Sequence, residues 1–543
     1  MGERLVDYLD KGASLGADAR CLTTNGESLS YREVQDLSSR IAGALAARGV
    51  APGDKVAIIS GNDPIAFTCV FGISRAGAVW CPINPRNEAA ENRELLDLFD
   101  ATLVIFGSPF ADLVRTIQPH LDKVHTWVCL DAEVDGALSW DDFLAGQDHL
   151  PGSDSEVDAS PVRDLALIVG TGGTTGRPKG VMLTGANIET MTAITLMSYP
   201  FGARPGATDS PEHVEQAKAA RDRFSSSRPV YLALAPLTHA AGVLCFPILA
   251  LGGEIVIMPA PDVGGFLELI AAHRVTHTFL PPTLIYMVLG HPALDATDLS
   301  SLQCFWYGAA PMSVARLAEA LTRIGPVMAQ LFGQTEAPMM ISTMAPADHF
   351  HADGSVATER LGSAGRPSPL CTVAILDDEG RSLPRGERGE IVVRGSLVMP
   401  GYYKNPQATA EASAHGWHHT GDIGYLDDDN YLFIVDRAKD MIISGGFNVY
   451  STEVEQALLA HPDIQDCAVI GLPDEKWGER VVAVVQPTTG ATPDPGDVAR
   501  FVKERIGSVK TPKQVEVWAD LPRSKVGKVL KTEIKATLRA DPQ

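Results

Sequence analysis

The chain has 543 residues, 45% apolar and 21% charged, with a formal net charge of −22. That length exceeds the roughly 250–300 residues at which one core stops growing, so at least two domains are expected. The acidic balance repels phosphate backbones and excludes broad nucleic-acid binding, though not a local phosphate pocket built from N–H groups.

The first 430 residues alternate helix-like and strand-like segments. Val34, Leu37, Ile41 and Leu45 share one helical face, Gly49-Val-Ala-Pro-Gly53 ends that helix, and Val56-Ala-Ile-Ile59 reads as a buried strand. A helix over 64–76 and a strand over 78–83 repeat the unit, which predicts an α/β fold of largely parallel sheets covered by helices. Leu165–Val169 is another buried strand and runs into a glycine-rich segment, Gly170–Gly180. Residues 202–228 are polar and broken by Gly, Pro and Ser, as in a surface loop or insertion. Pro229–Gly253 carries no charge, but Pro236, His239, Pro247 and the final Gly-Gly break it into strand, turn and short helix, not a membrane span. From about residue 360 hairpin-like segments appear, Val373–Leu376 and Gly389–Arg394 around the turn Asp377–Gly380, which predicts a β-rich subdomain over about 360–435. The last hundred residues read as a small α+β unit ending in a lysine-rich segment.

The eight cysteines (Cys21, Cys69, Cys81, Cys129, Cys245, Cys304, Cys371 and Cys467) form no CxxC pair and read as reduced thiols. The N-terminus lacks a signal-peptide apolar region, so a cytoplasmic protein is expected. Peripheral membrane contact and a homodimer are both compatible with this composition. His415-Gly-Trp-His-His419 looks like a metal cluster but has no complete ligand set, and is read as structural.

The glycine-rich segment Thr171-Gly-Gly-Thr-Thr-Gly-Arg-Pro-Lys179 joins backbone freedom to hydroxyl donors and a cation, which suits an anion. It lacks Walker A spacing. Alone it is equally a glycine-rich turn. It closely resembles the phosphate loop of the adenylate-forming superfamily, and further motifs follow in that family's order over nearly the whole chain. Ala235-Pro-Leu-Thr-His239-Ala-Ala-Gly242, Tyr307-Gly-Ala-Ala-Pro311, Phe332-Gly-Gln-Thr-Glu336, Thr420-Gly-Asp422, Asp436-Arg437 and Pro522-Arg-Ser-Lys-Val-Gly-Lys528 carry the resemblance.

The resemblance implies an AMP-forming acyl-CoA synthetase, most like the fatty-acid branch, with ATP, Mg²⁺ and coenzyme A. A carboxylic acid would displace pyrophosphate to give an acyl-adenylate, which a thiol then attacks. It implies that Thr171, Gly172, Gly173, Thr174, Thr175, Gly176 and Lys179 bind phosphate. Gly308, Ala309, Ala310 and Pro311 would contact adenine with Gln330, Phe332 and Gly333, while Asp422 and Arg437 would hold ribose or phosphate. Thr175 and Glu336 would bind Mg²⁺. Lys528, Glu336, Thr335 and His239 are the implied catalytic set. Lys439 is the implied hinge in 436–440, between an N-terminal domain (1–435) and a mobile C-terminal domain (441–543). Turning there would bring Ser444, Gly445 and Gly446 to the pantetheine tunnel.

Four positions depart from the family pattern: Gly172 where Ser is common, Leu331 for Gly, Phe332 for Tyr and Ser451 for Pro. The expected acid pocket is apolar, with Leu237, His239, Phe305, Trp306, Tyr307, Leu331, Phe332 and Met339, and no charged partner for an amino acid. A fatty acid, an aryl or cinnamate-type acid and a sterol side chain all suit such walls. No carrier segment follows residue 543, which favours CoA over a carrier protein as acceptor. A catalytically dead nucleotide-binding protein is the reading of a different class, and the retained Lys528, Glu336, Thr335 and Asp422 argue against it.

Overall fold

The computed structural model describes residues 2–147, 165–171, 178–201, 228–237, 240–437, 440–474, 476–523 and 529–540. The expected helices form where their signals lie. Tyr31–Ala47 starts at Ser30, whose hydroxyl accepts from the Glu33 N–H while the Glu33 carboxylate accepts from the Ser30 N–H. Two donors with no partner in the first turn are thereby satisfied. Val34, Ile41 and Leu45 are buried on its inner face, and Gly49, at φ 82°, follows its end. Pro64–Arg75 is capped by Asp63, with Pro64 at the first helical position.

Two large sheets result. One has nine strands, in the order 366–367, 342–344, 328–332, 304–308, 277–280, 230–233, 254–257, 20–24, 27–30. Its central pairs are parallel and its edges antiparallel. The other has eight strands, in the order 401–402, 179–184, 165–171, 79–83, 55–59, 101–106, 126–129, 138–139. Cys304–Gly308 is buried at all five positions, as befits a strand covered on both faces. The uncharged stretch resolves into the strand Val230–Ala233 and the short helices Ala240–Val243 and Cys245–Ala250. Among the described residues no helix is long and apolar enough to cross a membrane. Residues 202–227 lie outside the described residues.

Beyond residue 370 lies a separate four-stranded antiparallel sheet, 372–376, 389–394, 418–426 and 432–437. A five-stranded sheet over 442–517 follows, with the helices Ser451–Leu459, Pro495–Ile506 and Lys531–Ala540. This is the small α+β unit. The eight cysteines are all free, seven of them buried.

Candidate active site

The site lies at the C-terminal ends of the central strands of the nine-stranded sheet, where such sheets open a crevice. Cys304–Gly308 and Met328–Phe332 run parallel, with Gly308 opposite Leu331. A Cβ on Gly308 would lie 2.3 Å from the Leu331 carbonyl oxygen, so only glycine allows this approach. Gly308 then leads into Ala309, at φ 65°, and exposed Pro311. Beside it a tight loop follows Phe332. The Ile341 N–H donates to the Phe332 carbonyl at 2.7 Å, and the Gln334 N–H to the Ala337 carbonyl at 3.1 Å. A Cβ on Gly333 would lie 2.5 Å from the Met339 backbone. The loop holds Thr335 and Glu336 half-buried.

The Glu336 carboxylate has a partner that sequence reasoning missed. The Tyr402 hydroxyl donates to Glu336 Oε1 at 2.8 Å, and Lys179 Nζ sits 4.9 Å from the same ring. Gly401–Tyr402 pairs with Lys179–Thr184, and the Tyr403 N–H donates to the Gly180 carbonyl at 2.7 Å. Burial, and then the adjoining Glu336 charge, push the Tyr402 phenol well above its ordinary range, so it stays a donor at neutral pH. No motif marks Tyr402; only pairing across the chain brings it here.

The ribose candidates also come together. Arg437 Nε lies 2.6 Å from Asp422 Oδ1, and Asp422 is 3% exposed. Gln334, between the loop's Gly333 and Thr335, donates to Asp422 Oδ2 at 3.2 Å and to the Thr420 carbonyl at 2.5 Å. Its own oxygen meets His418 Nε2 at 3.2 Å, and burial lowers that imidazole's pKa. His419 pairs with Glu390 at 2.8 Å. These histidines hold strands and loop together, and among the described residues no group of three metal-ligating side chains gathers.

Strand alternation divides the expected acid pocket. Leu237, Trp306, Leu331 and Met339 belong to one apolar core, with Tyr199, Phe201 and Tyr231 around the indole. Tyr307 does not join that wall. It points through the opposite face of the sheet, packs in the core that holds Phe305, and meets His349 Nε2 at 2.9 Å. The Gln330 side chain follows it, its Oε1 accepting from the Tyr307 hydroxyl at 3.4 Å. Asn62 is a second unforeseen contributor. It accepts from the Leu237 N–H at 2.9 Å and donates to the carbonyls of Leu234, Ala235 and Met258. It thus fixes the segment leading to residue 239.

In the C-terminal unit Ser444 pairs with Phe447 across a two-residue turn. Gly445 and Gly446 have φ of 61° and 81°, which suits a tight turn with both central residues left-handed. Gly445 packs on Trp477, where a Cβ would come within 3.1 Å of the indole. Gly172, Gly173, Thr174, Thr175, Gly176, His239, Lys439 and Lys528 lie outside the described residues. The ends of the glycine segment are described, and Thr171 pairs with Lys179 across two antiparallel strands.

Comparison with known proteins finds relatives that span nearly the whole chain. The AMP-binding enzyme family profile matches residues 9–403, and the AMP-binding enzyme C-terminal domain profile matches 453–528. A medium/long-chain-fatty-acid–CoA ligase of Mycobacterium tuberculosis is 34% identical over 515 residues, covering 93% of this chain and 85% of that one. A feruloyl-CoA synthase of an Amycolatopsis species is 35% identical over 527 residues, 96% of each chain. Among solved structures, the amide bond synthetase McbA of Marinactinospora thermotolerans superposes with a TM-score of 0.84 at 29% identity, over 98% of this chain and 99% of that one.

Proposed function

Because the chain belongs to the AMP-binding enzyme family and is an AMP-forming acid–thiol ligase that uses ATP, Mg²⁺ and coenzyme A, we propose that its acid is apolar and fatty-type, activated between Glu336, Lys179 and the Asp422–Arg437 pair. The observation that carries the reading is the convergence of Tyr402 on both Glu336 and Lys179. Asp422 and Arg437 hold the ribose, and the 308–311 turn with Phe332 holds adenine. Lys179, with the glycine segment, balances phosphate charge; Lys528 stabilises the charge developing at the α-phosphate. This is positioning and electrostatics rather than covalent catalysis.

Glu336 offers carboxylate oxygen, a donor that suits a hard cation, and Thr175 would supply the hydroxyl. Mg²⁺, when bound, neutralises triphosphate charge. Tyr402 orients the Glu336 carboxylate toward it. In the thiol step the C-terminal unit (441–543) turns about Lys439 and presents Ser444, Gly445 and Gly446 to the pantetheine arm.

The wall formed by Leu237, Trp306, Leu331 and Met339 supports an apolar acid. An aryl acid is the second reading, favoured by the rings of Tyr199, Phe201, Tyr231 and Trp306 and by the feruloyl-CoA synthase likeness. We assign the protein to the cytoplasm, in line with its eight free thiols. Pyrophosphate release, followed with dodecanoic, ferulic and sterol side-chain acids, tests the acid class. No release with any of them sinks the reading, while release without a thioester on adding CoA points to a carrier-protein acceptor.

A further inference from the structure

The residues just before the proposed hinge are tied to the C-terminal unit by a network that no step above uses. Asp436 lies near the end of the strand Leu432–Arg437 and is 2% exposed. Its Oδ1 accepts from the Arg437 N–H at 2.8 Å and from the Ser451 hydroxyl at 2.9 Å, and its Oδ2 accepts from the Ser451 N–H. Ser451 opens the helix Ser451–Leu459. Its hydroxyl oxygen also accepts from Lys531 Nζ at 2.6 Å, and Lys531 pairs with Glu455 at 2.7 Å. Ser451 is therefore a relay, donating to Asp436 and accepting from Lys531. Arg437, next to Asp436, is the residue that meets Asp422.

The two sides of this network belong to different units. Asp436 is fixed in the four-stranded sheet, whereas Ser451, Glu455 and Lys531 sit on two helices of the C-terminal unit. If that unit turns about Lys439, Ser451 and Lys531 travel and Asp436 stays. The network then holds in one arrangement and breaks in the other, leaving the Asp436 carboxylate with the Arg437 N–H but without Ser451. A proline at position 451 would have neither the N–H nor the hydroxyl.

We propose that Ser451, its hydroxyl held by Lys531, is a positioning residue that fastens the C-terminal unit to Asp436, beside Arg437, in one of two hinge arrangements. The proposal rests on the hinge reading above. Ser451→Pro is the test, because proline fits the first helical position and Tyr450, at φ −84° and ψ 119°, already has the backbone that precedes proline. It removes both bonds to Asp436; Ser451→Ala removes only the hydroxyl.

Each variant is assayed in the two half-reactions separately, with dodecanoic or ferulic acid, whichever the protein activates. ATP–pyrophosphate exchange reads adenylation, and thioester formation from the supplied acyl-adenylate reads the thiol step. Weakening one arrangement moves the population toward the other, so one half-reaction slows while the other holds or quickens. The rate ratio is expected to shift roughly tenfold in Ser451→Pro and less, in the same sense, in Ser451→Ala, with melting unchanged. An unchanged ratio, or equal loss in both steps, overturns the proposal. Lys528→Ala separates the two failures. If it slows both half-reactions alike, the hinge reading falls; if it blocks only adenylation while the Ser451 variants leave the ratio alone, only the fastening falls.

Discussion

Replacing Tyr402 by phenylalanine removes one oxygen and leaves the ring against Lys179. The lost bond is the 2.8 Å donation to Glu336, made by a side chain only 8% exposed. A hydrogen bond to a charged acceptor contributes about 1.5–3 kcal/mol. If the whole of it serves to place Glu336 for the metal–triphosphate complex, kcat/KM for ATP falls roughly 10- to 150-fold, at about 1.4 kcal/mol per decade. Glu336 is also held through its backbone, because its carbonyl accepts from the Met399 N–H at 2.8 Å. The loss should therefore sit near the lower end. ATP–pyrophosphate exchange measured across a Mg²⁺ titration reads it. The expected result is about a tenfold loss, with half-saturation moved to higher Mg²⁺. Wild-type exchange with an unchanged Mg²⁺ requirement would refute the role given to Tyr402. So would a loss that merely tracks unfolding.

Three further outcomes follow from the geometry. Burial raises the Asp100 carboxyl, but bonds from Lys404, Lys123 and Tyr403 outweigh it and hold the pKa at about 2, below the ordinary 3.8. A depressed carboxylate contributes stability that is full above its unfolded pKa and drains as pH falls toward 2. Asp100→Asn should therefore cost about 1 kcal/mol or less at pH 7, because solvent screens the exposed Lys123 and Lys404 partners, and flatten the acid limb between pH 4 and 2, read by urea unfolding. Gly308→Ala forces a Cβ to 2.3 Å from the Leu331 carbonyl, so adenylation should collapse and stability drop by about 1–3 kcal/mol, read by exchange and thermal melting. Asn62→Ala releases the 234–237 segment; KM for the acid should rise while KM for ATP holds, and the reverse pattern would show that Asn62 serves the nucleotide side.

The elements were legible because their signals are local. Val34, Leu37, Ile41 and Leu45 mark one helical face within a dozen residues, and the all-apolar Val56–Ile59 is what a strand covered on both faces requires. Ordered motifs brought Gly308, Glu336 and Asp422 into view for the same reason. Tyr402 escaped because it acts 66 positions from Glu336 and arrives on a two-residue strand. Asn62 acts 175 positions from Leu237. Neither distance leaves a trace in local pattern. Counting Trp306 and Tyr307 in one pocket wall failed for a simpler reason: successive side chains on a strand face opposite ways.

The pairing of Gly401–Tyr402 with Lys179–Thr184 also bears on the history of the chain. In synthesis order the strand that leaves the glycine segment is made more than two hundred residues before the piece that covers its outer edge. Until then its unpaired N–H and C=O groups are an open template for another chain. The two residues that close the edge are the same ones that deliver Tyr402 to Glu336. Protection from self-association and formation of the Tyr402–Glu336 bond are thus a single late event, and a nascent chain halted before residue 401 would lack both.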